Sequence, residues 1–413
     1  MCRGVLFACL GLVLVSLLLG GCAKKVKSAP VPAGTGEEQA PAGTPEEKQP
    51  AVEKILKPAE LYGEEVPSRY FESVYYGASG RIDVKDPRNV VYTSVRSKEI
   101  SLGVCHLKIK KSTVFDIVGR ELGRLLRGAW SRLPDDSVGH EFQITEAIPY
   151  SKEQFFESVN EELGLYALDE NNEKNMLLFI HGFNNSFEEA VERTGCIASY
   201  ADFKGVAVAY VWPSKENFLL YFKDRAVADW SAFMLQLFIV DYLLKSDAKY
   251  ISVIAHSMGG EVFVKAYCGL IDQAKSDKKL MSQMKKIKRI ILASPDIDYI
   301  TFLDFYLKKM RTLSPDIYLY FSQTDSALKL SQGLQGTERL GSSLVCNKEI
   351  VCTDTSSVNS DFFNHATIAS SKTVLEDLMC IFNEKCSRNQ QKYLESRPCG
   401  GGLSYWRLNP AGN

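Results

Sequence analysis

The chain is 413 residues long, 45% hydrophobic and 24% charged, with 49 Lys and Arg against 50 Asp and Glu for a formal charge of −1. Those values belong to a globular protein of one large or two ordinary domains, and they exclude wholesale disorder, a collagen-like fibre and a polytopic membrane protein. No global basic field exists, so nucleic acid is not an expected partner.

The first element is an address. Arg3 gives a positive start, and Val5 to Leu19 is a run of small and apolar residues, short for a bilayer span but suited to a signal peptide. It ends in Leu19-Gly20-Gly21-Cys22, followed by Ala23-Lys24-Lys25. This resembles the bacterial lipobox. The resemblance implies cleavage of residues 1–21 and acylation of Cys22, and Ala23 in place of Asp implies sorting to the outer membrane, with the protein facing the periplasm. Residues 22–65 are the expected tether. Pro30, Pro32, Pro41, Pro45, Pro50 and Pro58 are spaced by Ala, Gly, Glu and Lys, and such a segment cannot offset its ordering entropy by packing.

Eleven Cys are present. Cys2 and Cys9 leave with the signal and Cys22 is lipidated, so eight remain, five of them after residue 345: Cys346, Cys352, Cys380, Cys386 and Cys399. An oxidising envelope favours disulfides there, with the pairing open. Cys196 and Cys268 fall in expected helices, where a buried thiol is the simple reading. No Cys or His spacing fits zinc, so no metal and no cofactor is expected.

From residue 66 to 383 the pattern alternates strand and helix. Met176–Ile180 is a continuous apolar run, as in a strand buried on both faces. His181-Gly182-Phe183-Asn184-Asn185 is a turn, and Ser186 with Glu189 makes a capping box that starts a helix. Val206–Trp212 is a second buried strand, stopped by Pro213. Helical spacing of Val227, Trp230, Met234, Leu237, Phe238 and Leu244 predicts a helix over about 224–245. Strands follow at Tyr250–Ala255, Arg289–Ala293 and Ile317–Phe321, with helices at about 260–271 and 373–382. Upstream, Val90–Val95 and Val104–Ile109 read as strands extending the same sheet. The expected architecture is α/β, a mostly parallel sheet with helices on both faces. Residues 384–413 are expected as a Cys-containing tail.

The chemistry centres on one turn. Ala255-His256-Ser257-Met258-Gly259-Gly260 lies between a strand and a helix. It resembles the nucleophile elbow G-x-S-x-G of α/β-hydrolases, with Ala255 at the first glycine position and Gly259 at the second. The resemblance makes Ser257 the nucleophile. A hydroxyl needs a base, and in the fold's chain order the base follows the nucleophile. Of five His, only His365 does so. His256, inside the elbow, is badly placed to activate its neighbour. The acid has three candidates, of which Asp325 is favoured by its strand position. Asp325 follows the strand that usually carries it, while Asp296 and Asp298 follow the preceding strand, a station some lipases use or simply a capped turn after Pro295. Two backbone N–H groups, of Met258 and of Phe183 in the His181-Gly182 turn, are the expected oxyanion hole.

Further pieces are Val91-Tyr92-Thr93-Ser94-Val95-Arg96, Val211-Trp212-Pro213-Ser214, Lys223-Asp224-Arg225 and Ser294-Pro295-Asp296-Ile297-Asp298. With the elbow they make residues from about 88 to 370 resemble a bacterial α/β-hydrolase family of unknown function. The resemblance implies a serine hydrolase, esterase- or lipase-like, without naming a substrate beyond a small-molecule or lipid acyl compound. The Asp224-Arg225 pair reads as an exposed helix start in preference to a pocket lining, the Lys-rich run 275–289 as a solvated face rather than a lipid contact, and Phe218, Tyr221 and Phe222 as a cap over an acyl pocket or as core. The alternative to an esterase is a non-catalytic module of the same fold that binds an envelope partner; a peptidase is less favoured because nothing marks a peptide-binding extension. No P-loop or H-E-x-x-H occurs.

Overall fold

The computed structural model describes residues 71–86, 89–111, 140–215, 221–358, 365, 367–383 and 386–409. All of these lie in one unit that spans Glu64–Asn413. The expected signal segment, Cys22 and the tether lie outside the described residues.

The strands are β1 (Phe71–Asp86), β2 (Asn89–Lys111), β3 (His140–Tyr150), β4 (Asn175–Ile180), β5 (Val206–Val211), β6 (Tyr250–His256), β7 (Ile287–Ala293), β8 (Asp316–Phe321), β9 (Val351–Asp354), β10 (Leu394–Gly400) and β11 (Leu403–Leu408). They join one sheet in the order β10-β11-β9-β8-β7-β6-β4-β5-β1-β2-β3. From β11 through to β1 every neighbouring pair is parallel. Antiparallel hairpins finish both edges: β10 on β11, and β2 and β3 beyond β1.

The centre is parallel because its strands bury both faces. Along β4, Met176, Leu178 and Ile180 enter one core while Leu177 and Phe179 enter the other. In β5, Val206, Val208 and Tyr210 alternate with Ala207, Ala209 and Val211 in the same way. Each such large side chain contributes about 1.5–3 kcal/mol on burial. Helices α1 (Lys152–Tyr166), α3 (Tyr221–Phe238) and α4 (Met258–Ala274) cover one face; α2 (Phe187–Tyr200) and α7 (Lys372–Phe382) cover the other. Two further helices, α5 (Lys278–Met284) and α6 (Ser326–Gln335), follow β6–α4 and β8 respectively. Helix α2 begins with the expected capping box of Ser186 and Glu189. Helix α3 runs on through a π turn, Ile239–Leu243; this whole stretch is long and apolar enough to cross a bilayer, yet half of its most apolar window is buried within the fold.

Three expectations are corrected, and the reading of the basic run as a solvated face holds for most of its lysines. The tail is not separate: β10 and β11 extend the sheet beyond β9. The two upstream runs at 90–95 and 104–109 are one long strand, β2, and β1 and β3 flank it. Asp224 is fully buried rather than at an exposed helix start. In the basic run Lys275, Lys278, Lys279 and Lys285 are exposed, but Arg289 is buried, and Lys286 Nζ donates to the carbonyl oxygens of Leu244 and Ser246, capping the end of α3's π turn.

One disulfide, Cys380–Cys386, closes the end of α7. Cys105, Cys196, Cys268 and Cys352 are buried free thiols. Of the three aromatics after Pro213, Tyr221 is buried, Phe222 is exposed and Phe218 lies outside the described residues.

Candidate active site

The elbow follows from β6 running into α4. Ser257 sits between them at φ 54°, ψ −126°, a conformation that costs a non-glycine residue about 1–3 kcal/mol. Neighbouring backbone holds it. Ser257 N–H donates to Ala293 O, and Ser257 O accepts from Gly260 and Asp296 N–H. A Cβ on Gly259 would collide with the carbonyl oxygens of Ile180 and His181, so the helix can leave this close to β4 only with glycine there. Ala255, at the other small position, is completely buried.

Above this turn three side chains meet. His365 Nε2 lies 2.7 Å from Ser257 Oγ, and His365 Nδ1 lies 2.7 Å from Asp325 Oδ2. Ser257 and Asp325 are buried, and the imidazole is 17% exposed. The histidine therefore keeps a solvent-facing edge while the Asp325 carboxylate is dry. With Asp325 as acceptor, Nδ1 carries the proton and Nε2 faces the serine as a lone pair. Asp325 is placed by its own helix: its Oδ1 caps α6 at Leu328 N, 2.9 Å away.

Neither alternative acid reaches His365. Asp296 is bound elsewhere, with Oδ1 accepting from Arg339 Nε (2.8 Å) and Ser331 Oγ (2.6 Å) and Oδ2 from Tyr221 OH (2.6 Å). The Arg339–Asp296 pair is buried, at 1% and 4% exposure. Asp298 Oδ1 caps a short turn at Thr301 N. The turn after Pro295 is therefore structural, and Tyr221 is tied into its network.

The two stretches expected to supply the oxyanion donors lie beside the serine. Met258 is the first residue of α4. Gly182 packs so closely that a Cβ there would meet Ser257 Cβ at 2.8 Å, so the His181-Gly182-Phe183 turn passes beside the nucleophile. Its conformation is held from several sides. His181 Nδ1–H donates to Gly182 O (2.8 Å), and His181 Nε2 accepts from Trp212 N–H (3.1 Å). Trp212 Nε1–H donates to His181 O (2.8 Å), and the two rings stack. One tautomer satisfies all of this, and burial pushes the His181 imidazole down to about 4. Asn185 Nδ2 donates to Gly182 O and Phe183 O, and Asn184, at φ 58°, donates its N–H to Ser214 Oγ. Ser214 Oγ–H in turn donates to Asp224.

His256 has a part that its sequence position did not disclose. It does not contact Ser257 Oγ as a base. Its Nε2–H donates to the carbonyl oxygen of His365 at 2.9 Å, with the rings 4.8 Å apart. Burial first, and the neighbouring His365 second, hold its imidazole well below the usual histidine range. His365 is thus fastened through its own carbonyl oxygen to the elbow itself. The only sequence sign of these supporting residues was their place in the quoted motifs: His256 in AHSMGG, Asn185 in HGFNN, Ser214 in VWPS and Asp224 in KDR. Among the described residues no cluster of His, Cys, Asp and Glu is arranged to hold a metal ion.

A parallel sheet with a strained serine turn at the carboxyl end of β6, a capped acid after β8 and a histidine before α7 defines a hydrolase of the α/β-hydrolase superfamily. Residues 157–381 match a family described as alpha/beta hydrolase of unknown function (DUF900), and the chain belongs to this family. No curated protein matches it in sequence. Among solved structures it is similar to EstE1, a thermophilic carboxylesterase cloned from a metagenomic library, at 14% identity over 58% of this chain and 98% of that one (TM-score 0.26). It is also similar to an esterase of Pyrobaculum calidifontis, at 11% identity over 65% and 90% (TM-score 0.29). A third is the acylaminoacyl peptidase of Pyrococcus horikoshii, at 13% identity over 74% and 48% (TM-score 0.26).

Proposed function

We propose that this protein is a serine hydrolase that cleaves ester or thioester bonds of a small-molecule or lipid acyl substrate through an acyl-serine intermediate on Ser257. The observation that carries the reading is the unbroken chain Ser257 Oγ, His365 Nε2, His365 Nδ1, Asp325 Oδ2, with both links at 2.7 Å. Ser257 Oγ bonds to the acyl carbon as its proton passes to His365 Nε2. Asp325 keeps the imidazole in the required tautomer and stabilises its charged form. The negative charge that develops on the acyl oxygen meets the N–H groups of Met258 and Phe183, and one such donor is worth about 3–4 kcal/mol of barrier. Collapse expels the alcohol or thiol, which takes the proton from Nε2. Water then repeats the sequence, releases the acid and restores Ser257.

The lipobox resemblance at Leu19-Gly20-Gly21-Cys22 supports an enzyme on the periplasmic side of the outer membrane, held by acylated Cys22 with residues 22–65 as its leash. Each buried CH₂ of the anchor contributes about 0.8 kcal/mol. Incorporation of radiolabelled palmitate by the cells' protein, lost in Cys22→Ser, tests the anchor.

A fluorophosphonate probe tests the chemistry. The folded protein is expected to be labelled, and Ser257→Ala to be unlabelled with the same unfolding temperature. A folded wild-type protein that takes no label and hydrolyses no acyl ester refutes the proposal, and leaves the non-catalytic partner-binding reading.

A further inference from the structure

The oxyanion turn carries a backbone clamp built from side chains that never touch Ser257. Two consecutive peptide units flank Phe183, and the first of them carries its N–H. In the unit joining 182 and 183, Gly182 O is held by His181 Nδ1–H at 2.8 Å and by Asn185 Nδ2–H at 3.2 Å. A trans peptide is planar, so fixing that carbonyl fixes the Phe183 N–H in the opposite direction. In the next unit, Phe183 O accepts from Asn185 Nδ2 at 2.8 Å, and Asn184 N–H donates to Ser214 Oγ at 2.9 Å. Both ends of that plane are therefore pinned.

The second pin reaches far along the chain. Ser214 Oγ–H donates to Asp224 Oδ2 at 2.7 Å, which leaves the hydroxyl's lone pairs to face Asn184. Asp224 Oδ2 also accepts from Lys215 N–H at 2.7 Å, so both ends of the Ser214-Lys215 dipeptide lean on one carboxylate. Asp224 is fully buried at the start of α3, and its Oδ1 has no hydrogen-bond partner among the described residues. Through Oδ2 this one carboxylate ties Ser214 and Lys215 to the start of α3, and burying it there costs free energy that its hydrogen bonds must offset. A turn that must keep φ 58° at Asn184 and hold an N–H against a developing charge gives that tie a use.

We infer that Asn185, together with Ser214 as oriented by Asp224, forms a clamp of positioning residues that sets the oxyanion donor of Phe183. This rests on the serine-hydrolase reading above and assigns a role to Val211-Trp212-Pro213-Ser214 and Lys223-Asp224-Arg225, motifs that the triad leaves unused. The clamp is expected to act chiefly on the transition state, because the amide's hydrogen bond strengthens as negative charge develops on the acyl oxygen.

The test uses the mature full-length protein, p-nitrophenyl acetate and a fluorophosphonate. Ser214→Ala is expected to lower kcat about 10-fold, below the 10²–10³-fold of losing a donor outright, with KM within twofold and phosphonylation slowed in step. Ser214→Thr, which keeps the hydroxyl, restores both, and Asp224→Asn falls between. In parallel, hydrogen exchange at the Asn184 amide, protected in the wild type, is expected to speed up at least 10-fold in Ser214→Ala. Unchanged exchange overturns the clamp whatever the kinetics show. Faster exchange with kcat within twofold of wild type overturns its catalytic role. If Ser214→Thr is as impaired as Ser214→Ala, the effect is one of packing and the clamp falls. A wild type that neither turns over the ester nor takes the label at Ser257 refutes the hydrolase reading, and the clamp's catalytic role goes with it; that result is distinct from an active wild type with an indifferent Ser214→Ala.

Discussion

Asp325→Asn and Asp296→Asn separate two carboxylates that are both buried and both near the elbow. Asparagine at 325 keeps the volume and still offers Oδ1 to Leu328 N, so the cap of α6 survives and stability should change by less than about 1 kcal/mol. What changes is the group 2.7 Å from His365 Nδ1. An amide NH₂ there makes Nδ1 the acceptor and moves the ring proton to Nε2, where it faces Ser257 and blocks proton transfer. Loss of tautomer control of this kind costs about 10⁴ in kcat, or about 5.4 kcal/mol of barrier at 1.36 kcal/mol per decade. Asp296→Asn should do the reverse. It removes the charge from a pair with Arg339 in which both side chains are under 5% exposed, leaving a buried guanidinium uncompensated at about 3–5 kcal/mol of stability. Its kcat per folded molecule should stay within severalfold. The assay is p-nitrophenyl ester turnover normalised to the folded fraction by circular dichroism, with urea unfolding of each variant. If Asp325→Asn retains a tenth of the wild-type kcat, or if Asp296→Asn abolishes turnover at unchanged stability, the assignment of the acid is wrong.

Three other outcomes are expected. His181 has a folded pKa of about 4 against about 6.5 unfolded, so between those values the unfolded chain binds more protons. Stability therefore rises with pH, is complete above about 6.5, and is lost as pH falls toward 4, by about 3 kcal/mol in all; urea unfolding across this window should show a flatter profile for His181→Gln, and parallel profiles count against neutral burial. His256→Leu frees the carbonyl of His365 and should lower kcat several-fold with little change in KM, while His256→Gln, which can still donate, recovers most of it; equal loss in both makes the residue a core filler only. Replacing Cys380 and Cys386 by Ser opens a loop with a sequence separation of 6 and should cost about 2 kcal/mol in urea unfolding without altering kcat; unchanged stability shows that the two thiols are unlinked.

The local parts of this protein were legible in the chain. Buried parallel strands need apolar residues at consecutive positions, so β4, β5, β6, β7 and β8 stand out within windows of five to seven residues. The elbow is a contiguous strand–turn–helix signal, and chain order singled out His365. Edge strands gave no such run. β10 and β11 are largely exposed or half-buried, and what makes them part of the sheet is the pairing of Trp406 and Arg407 with Thr353 and Asp354, more than fifty positions away. β1 is interrupted by Gly77 and Gly80, and its register with β2 shifts at Gly80. Among Asp325, Asp296 and Asp298 the sequence favoured Asp325 by its place after the strand that usually carries the acid, but it could not exclude the other two, since all three follow strands and precede His365. The choice was made by which carboxylate the turn after β8 delivers to the imidazole and by Arg339, which had already taken Asp296. The burial of Asp224 and the tie from His256 to the His365 carbonyl are of the same kind. Motif and period report on neighbours in sequence, whereas the direction of a buried polar group is set by whichever distant partner satisfies it, and that partner exists only once the chain has folded.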